Sequence, residues 1–268
     1  MSIRLVDLNE ENVEDALNAC TDPSTLRDRS FLAGLEIRRK WLLDIYDKMG
    51  SCAKIAYVAG KPVGIIQYTP MHAVPYYNTR RRDVLYIHCM YVQEEFRNRG
   101  IGSALLKAVK SDMSKSNRMF KEQTCRMLAT SARKHYGYVQ FGLFRAEGFR
   151  RTKNSIDVAL VCPLLSGGLE TKLDIQTTKP LTIQERGVKI FFKPTCQYCK
   201  TTNRMIKGEI RKSNTKLEIE ECNLWTCHRE ALRRGITSVA TYINGHPIVP
   251  MEPERFRKTV RRLSIDSH

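Results

Sequence analysis

Apolar positions recur along this chain at two periods, near 3.6 in some stretches and near 2 in others, and the switches between them outline the elements. "SIRLVDL" reads as a short strand, and "NEENVEDALNAC" as a helix that Asn9 caps and whose early acids suit a helix start. "RSFLAGLEIRRKWLLDIYDKM" brings Phe31, Leu32, Leu35, Ile37, Trp41, Leu42, Ile45 and Tyr46 round at helical spacing. "AKIAYVAG" and "KPVGIIQYTP" are β-rich runs joined at Gly60-Lys61, which predicts an antiparallel hairpin. "RDVLYIHCMYVQ" is a longer strand, and "GIGSALLKAVKSDM" then sets Ile101, Leu105, Leu106 and Val109 on one helical face. "RMLATS" is a further strand, "ARKHYGYVQFGLFRAEGF" is helix-like as far as Ala146 and stops at Gly148, and "SIDVALVCPL" is a strand. The order β-α-α-β-β-β-α-β-α-β predicts an α/β domain over 1–165, a mixed sheet flanked by helices.

The pattern lapses at "SGGLETKLDIQTTKPLTIQERG", with adjacent glycines, several threonines, a proline and few large apolar residues, so 166–186 reads as a linker. Beyond it "VKIFF", "LEIEECN" and "VATYING" alternate with the helical stretches "KTTNRMIKGEIRKS" and "HREALRRG", before an Asn-Gly turn and a basic helix from Pro253. That β-α-β-α-β-β-α order predicts a smaller α/β domain over 187–268.

Length and composition agree with this division, because 268 residues suit two modest domains of about 100 residues or more each. The chain is 42% hydrophobic and 27% charged, ordinary for a globular protein. No run of about 18 apolar residues predicts a membrane span, and the first residues are acidic where a signal peptide needs an apolar stretch. Nine cysteines, an odd number and scattered, do not make a secreted disulfide framework, so reduced thiols and a cytoplasmic location are expected. The net charge of +17 raises the question of nucleic acid, but 16 Lys+Arg against 8 Asp+Glu from Val188 onward leave 29 against 20 before it. Both parts are basic, and no single face is singled out for phosphate binding.

The sharpest chemical signal is "VQEEFRNRGIGSALL". A strand ending near Val92 and a helix starting near Gly102 let the backbone N–H groups from Arg97 to Ser103 converge on an anion, with glycines allowing close approach and the arginines adding charge. Arg97-Asn98-Arg99-Gly100-Ile101-Gly102 resembles the R/Q-x-x-G-x-G/A signature of GNAT-family N-acetyltransferases, and the likeness extends from Ile3 to about Leu164. The resemblance implies that Arg97, Asn98, Arg99, Gly100, Ile101, Gly102 and Ser103 hold the pyrophosphate of acetyl-CoA. It also implies that the strand at Met90, Tyr91 and Val92 parts from its neighbour and offers main-chain hydrogen bonds to the pantetheine arm. Direct transfer of an acetyl group to an amine, or to a thiol-containing acceptor, would follow.

Such a transfer needs a base for the acceptor, a polarising group and a proton for the departing thiolate. Candidate bases are His88, with Tyr86 on the same strand, and Glu94 and Glu95 beside the loop. Many relatives carry "LYEKxGF", whose tyrosine protonates the thiolate, whereas "LFRAEGF" puts Phe144 there, and Phe has no proton to give. Tyr138 or Tyr136 are the substitutes upstream. The long loop "TPMHAVPYYNTRRRDV" can recruit an anionic acceptor or simply be a solvated basic loop.

"VKIFFKPTCQYCKTTNRMI" runs strand, turn, helix, and its Cys196 and Cys199 are spaced to bridge. The reading puts Cys196 at the helix start as the attacking thiol and Cys199 one turn inside as the resolving one. "KPTCQYC" resembles the active-site turn of glutaredoxins and thioredoxins, and "SVATYINGHPI" their later strand-turn segment, except that the family's cis-proline is Ala240 here, for which a trans bond is expected. Zinc binding by the pair with Cys222, Cys227 and His228 is an alternative, and inert structure another, although no resident metal is assigned. The two domains together resemble the YoaP-type acetyltransferases of prokaryotes. The leading expectation is therefore an acetyl-CoA-dependent N-acetyltransferase with a thioredoxin-like tail. The alternatives are a CoA-binding thiol sensor without transfer, and a nucleic-acid-associated protein using the basic stretch "ERFRKTVRR".

Overall fold

The computed structural model describes residues 2–79, 81–114, 125–131, 141–151, 159–164, 181–213, 216–248 and 253–265. The chain divides into two compact units. The first comprises Met1–Thr25, Arg38–Val74 and Thr79–Ile175, and the second Leu26–Ile37, Pro75–Asn78 and Gln176–His268. Among the described residues no helix is long and apolar enough to cross a membrane.

In chain order the first part runs β1 (Ile3–Asp7), α1 (Val13–Asn18), α2 (Arg29–Met49), β2 (Ala53–Val58), β3 (Lys61–Pro70) and β4 (Val84–Val92). It continues with α3 (Ile101–Ser114), β5 (Met127–Ser131), α4 (Phe141–Ala146), β6 (Arg150–Arg151) and β7 (Ala159–Pro163). The seven strands lie in the order β1-β2-β3-β4-β5-β7-β6, antiparallel except for the parallel pair β4 and β5. The mixed sheet expected from the element order is present. Asn9 acts as the expected cap, exchanging hydrogen bonds with Asn12 at 3.0 and 2.9 Å, but it caps a 3-10 turn that leads into α1. The β2–β3 hairpin turns on Ala59 and Gly60, at φ of 48° and 78°, the left-handed pair that a two-residue turn between twisted strands requires. On α3 the predicted stripe of Ile101, Leu105, Leu106 and Val109 is buried, joined by Met113 one turn later. β6 is the one strand here that hydrophobic patterning does not announce, since it consists of two exposed arginines held by pairing to β7.

The second unit contains β8 (Val188–Phe192), α5 (Cys199–Ser213), β9 (Ile219–Asn223), α6 (His228–Arg233), β10 (Ala240–Ile243), β11 (His246–Ile248) and α7 (Pro253–Ile265). Its strands follow the order β11-β10-β8-β9, with β8 and β9 parallel across the α5 connection. Val188, Ile190, Ile210, Ile243, Ile248, Phe256 and Val260 form its core, so α5 and α7 cover one face of the small sheet. Near α6, Arg234 is fully buried; its guanidinium lies 4.7 Å from the centre of the Tyr242 ring and bonds the carboxylates of Glu185 and Glu230. The turn between β10 and β11 is Asn244-Gly245, at φ of 46° and 76°. A side chain at Gly245 would collide with the carbonyl oxygen of Ile183, and the Asn244 amide ties Gly187 to Leu263 with two 2.8 Å bonds, so the turn organises its surroundings.

Candidate functional site

The corner between β4 and α3 is built to expose main chain. A 3-10 turn at Glu94–Phe96 ends the strand, and Asn98 and Gly100 then adopt φ of 60° and 78° before α3 begins at Ile101. Ile101 is buried and anchors the helix start, whereas Arg97, Asn98, Arg99 and Gly100 are exposed. A Cβ placed on Gly100 would meet nothing within 4 Å, so the loop faces open space at that residue. The N–H of Ala104 reaches the Gly100 carbonyl at 2.9 Å, which leaves the N–H groups of Ile101, Gly102 and Ser103 ahead of the helical ladder, at the positive helix end. The Arg97 Nε donates to the Val92 carbonyl at 3.1 Å while its guanidinium lies 5.7 Å over the Tyr91 ring, and Arg99 covers Phe96 at 5.6 Å. Ser103 uses its hydroxyl elsewhere, donating to the Glu147 carboxylate, which also pairs with Lys110. These seven loop residues are thus adjacent, with the charge of the two arginines folded against the strand end.

Among the described residues β4 pairs with β5 over only its first part. Its pairing with β5 runs from Val84↔Met127 to Ile87↔Thr130, and no register partner on β5 follows for His88 to Val92 among the described residues. Met90 and Val92 are buried, and Tyr91 is half-buried. On the other edge β3 pairs throughout, but Gln67 faces Cys89 and Tyr68 faces Ile87, so His88 is the extra residue of a bulge. The bulge sets the His88 ring against Trp41 at 5.4 Å and Tyr86 at 5.0 Å, edge to face in both cases, with Thr69 Oγ1 at 2.8 Å from Nε2. The Tyr86 hydroxyl is 2.9 Å from the hydroxyl of Ser131, the exposed last residue of β5.

The other candidates for proton transfer are dispersed. Glu94 and Glu95 are exposed in the 3-10 turn, with Glu94 3.8 Å from Arg97, so both belong to the loop corner. Phe144 is buried and packs its ring on Phe149 at 4.9 Å. Tyr136 and Tyr138 lie outside the described residues. Thr69, Trp41 and Ser131 are the residues that reading the sequence missed; a β-bulge depends on register against a neighbouring strand, and neither strand alone signals it.

At the end of β8 the two thiols differ in environment. Cys196 is exposed and Cys199 is buried, and burial pushes the Cys199 thiol up to about 12, with the nearby Cys196 sulfur acting in the same direction. One expectation is corrected: Cys196 is not at the start of the helix. Its carbonyl accepts the Cys199 N–H at 3.1 Å, closing a separate turn, and Cys199 is the first residue of α5. Ala240 is the first residue of β10, paired with Phe191, and its preceding bond is trans. Beside the turn, Glu221 on β9 receives Lys200, Lys207 and Asn203 from α5. Burial works against its charge, but these three partners hold its carboxyl down at about 2. Cys222 is buried and pushed up to about 12, first by burial and then by Glu220. Among the described residues no three His, Cys, Asp or Glu side chains gather as a metal site, so Cys222, Cys227 and His228 do not join the first pair in the arrangement the zinc reading needs.

Comparison with known proteins adds a family for part of the chain. Residues 15–136 match the Acetyltransferase (GNAT) family, so a GNAT acetyltransferase domain occupies that region. No curated protein matches the sequence. Among solved structures, the PaiA N-acetyltransferase of Thermoplasma acidophilum in complex with coenzyme A is 12% identical, with a TM-score of 0.44 over 61% of this chain and 99% of its own. An acetyltransferase from Thermus thermophilus is 16% identical, with a TM-score of 0.45 over 61% of this chain and 97% of its own. Ard1 from Thermoplasma volcanium is 19% identical, with a TM-score of 0.40 over 62% and 99%.

Proposed function

We propose that the first unit is an N-acetyltransferase that uses acetyl-CoA and passes the acetyl group to an amine or a thiol-containing acceptor. The observation that carries this reading is the corner from Arg97 to Ser103, where two left-handed residues turn the main chain just ahead of a 14-residue helix. The fit is chemical as well as spatial: N–H groups ahead of the helical ladder, two arginines and an open Gly100 suit a pyrophosphate. Arg97, Asn98, Arg99, Gly100, Ile101, Gly102 and Ser103 would hold it, and the main chain at Met90, Tyr91 and Val92 would hold the pantetheine arm. Acetyl-CoA supplies the acetyl thioester. His88, fixed by Thr69 and two rings, is the leading base candidate, while Glu94, Glu95 and Tyr138 are the other residues assigned to proton transfer. Nine scattered cysteines, an odd number, suit a cytoplasmic enzyme.

Isothermal titration with acetyl-CoA tests the reading. The wild-type chain is expected to bind, and Gly100→Val to bind at least about tenfold more weakly, because a β-branched residue resists the left-handed conformation and fills the open side of the loop. Absence of binding, or a Gly100→Val chain that binds as well as the wild type, would sink it.

The thiol corner supports a second activity, dithiol–disulfide exchange in a thioredoxin-like second unit. The supporting observation is the contrast between exposed Cys196, suited to attack, and sheltered Cys199, suited to resolve. A Cys199→Ser chain should trap a mixed disulfide on Cys196 with a small aromatic disulfide and fail to release it. Spontaneous release of the trapped adduct at the wild-type rate would exclude Cys199 as the resolving thiol.

A further inference from the structure

Acetyl transfer breaks a carbon–sulfur bond, and the sulfur leaves with the electron pair and needs a proton. Phe144 cannot provide one. It has no ionisable atom, and its ring is buried against Phe149. Tyr136 and Tyr138 lie outside the described residues, so among the described ones the acid is sought in the hydroxyls beside β4.

The direction of β4 narrows the search. If the pyrophosphate is held after Val92, the arm that follows it runs back along β4 from Val92 toward His88, four residues or about 13 Å of strand, for which β5 has no partner among the described residues. It ends beside the last described pair of β4 and β5, Ile87 and Thr130. Ser131 is the first β5 residue beyond that last pair, and it is exposed. Its hydroxyl is 2.9 Å from that of Tyr86, whose ring is buried and braced by His88 at 5.0 Å. Two hydroxyls in contact, one exposed just past the last β4–β5 pair among the described residues and one buried behind it, make a donor chain.

We propose that Ser131 donates a hydrogen bond and then a proton to the departing sulfur, and that Tyr86 supports it by donating to the Ser131 oxygen. The inference rests on the acetyl-CoA reading above. In the balanced step a nitrogen–carbon bond forms as the carbon–sulfur bond breaks. The Ser131 proton goes to sulfur, the Tyr86 proton moves to the Ser131 oxygen, and the proton released by the acceptor nitrogen returns to Tyr86, so the hydroxyl pair ends as it began. Nothing is oxidised or reduced.

The bound thiol gives a test that needs no acceptor. Free CoA is added to the full chain, and thiolate formation is followed by ultraviolet difference absorbance against the same chain with desulfo-CoA, which cancels the protein's own cysteines and tyrosines. The titration is repeated in His88→Gln to separate the imidazole touching Tyr86 from the thiol. A hydrogen bond that favours the thiolate should bring the bound thiol at least about one pH unit below free CoA. Ser131→Ala and Tyr86→Phe should each raise it back by about that amount, whereas Ser131→Thr, which keeps the hydroxyl, should not. Ser131 is at an exposed strand end and Tyr86→Phe keeps the ring, so both variants preserve the packing. CoA that binds with the same thiol titration in wild type and Ser131→Ala overturns this inference alone. CoA that does not bind overturns the acetyl-CoA reading, and this one with it.

Discussion

Two corners of this molecule have the same outline, a strand, a short turn and a helix, and work by different physics. After β4 the turn places Asn98 and Gly100 in the left-handed region and leaves its side chains exposed, so what the corner offers is main-chain N–H groups at a helix start. After β8 the turn from Cys196 to Cys199 contains no left-handed residue, and what it offers is a pair of thiols with unequal access to water. The first depends on backbone conformation and tolerates changes in the side chains around it. The second depends on where two side chains are buried and is indifferent to the identity of its backbone. Substitutions and pH should therefore separate the two corners cleanly.

The largest expected effect is in thiol reactivity. Burial raises the Cys199 thiol from 9.0 to about 12, so at a given pH its thiolate should be about a thousandfold scarcer than in the unfolded chain. Alkylation with iodoacetamide, followed by mass spectrometry of the native protein over time, should label Cys196 early and Cys199 about a thousandfold more slowly than in denaturant. Equal labelling of the two thiols in the native state would remove the contrast on which the second corner rests.

The sequence makes the first corner legible and only half of the second. Spacing alone locates the Arg97 to Ser103 loop, because glycine at a strand-to-helix junction reports a backbone requirement, and Gly100 does adopt φ of 78°. The Cys196–Cys199 spacing likewise announces a pair. It does not reveal that the Cys196 carbonyl takes the Cys199 N–H and so delays the helix by three residues. The order of strands and helices is legible because amphipathic periods such as that of Ile101, Leu105, Leu106 and Val109 are strong. The bulge at His88 is not, since it exists only in the register of β4 against β3, and the contact of Thr69 with His88 joins residues nineteen apart. Arg38 and Arg234 are buried against the ordinary behaviour of arginine, for reasons visible only in their partners: Gln67 and the Ala16 carbonyl for one, Glu185 and Glu230 for the other.

A second effect, on the order of 1–2 kcal/mol once solvent screening is allowed for, concerns the acid stability of the thiol-bearing unit. The Glu221 carboxyl, which burial alone would raise, is held by Lys200, Lys207 and Asn203 at about 2, below its ordinary 4.5. Because the folded value is depressed, the stabilisation is complete above pH 4.5 and is lost as pH falls through about 2. Denaturant unfolding at pH 7 and pH 3, read by Trp225 fluorescence in a Trp41→Phe chain, should show this unit weakening, whereas Glu221→Gln should be less stable at pH 7 and lose about half of that slope, the remainder belonging to Glu230. A Glu221→Gln chain with the wild-type slope would assign the acid sensitivity to other carboxylates, Glu230 first among them, since Arg233 and Arg234 hold it at about 2 as well.

The smallest effect probes the backbone character of the first corner. Asn98 sits at φ of 60°, a conformation that asparagine tolerates better than alanine and glycine better than either. Asn98→Ala should cost about 1 kcal/mol of stability, whereas in Asn98→Gly the relief of strain and the greater freedom of the unfolded chain offset each other to within about 0.5 kcal/mol. Acetyl-CoA affinity should follow the same order, with the glycine variant near wild type and the alanine variant weaker. If both variants lost affinity equally, the Asn98 amide itself would be a ligand contact, and the corner after β4 would depend on a side chain just as the corner after β8 does.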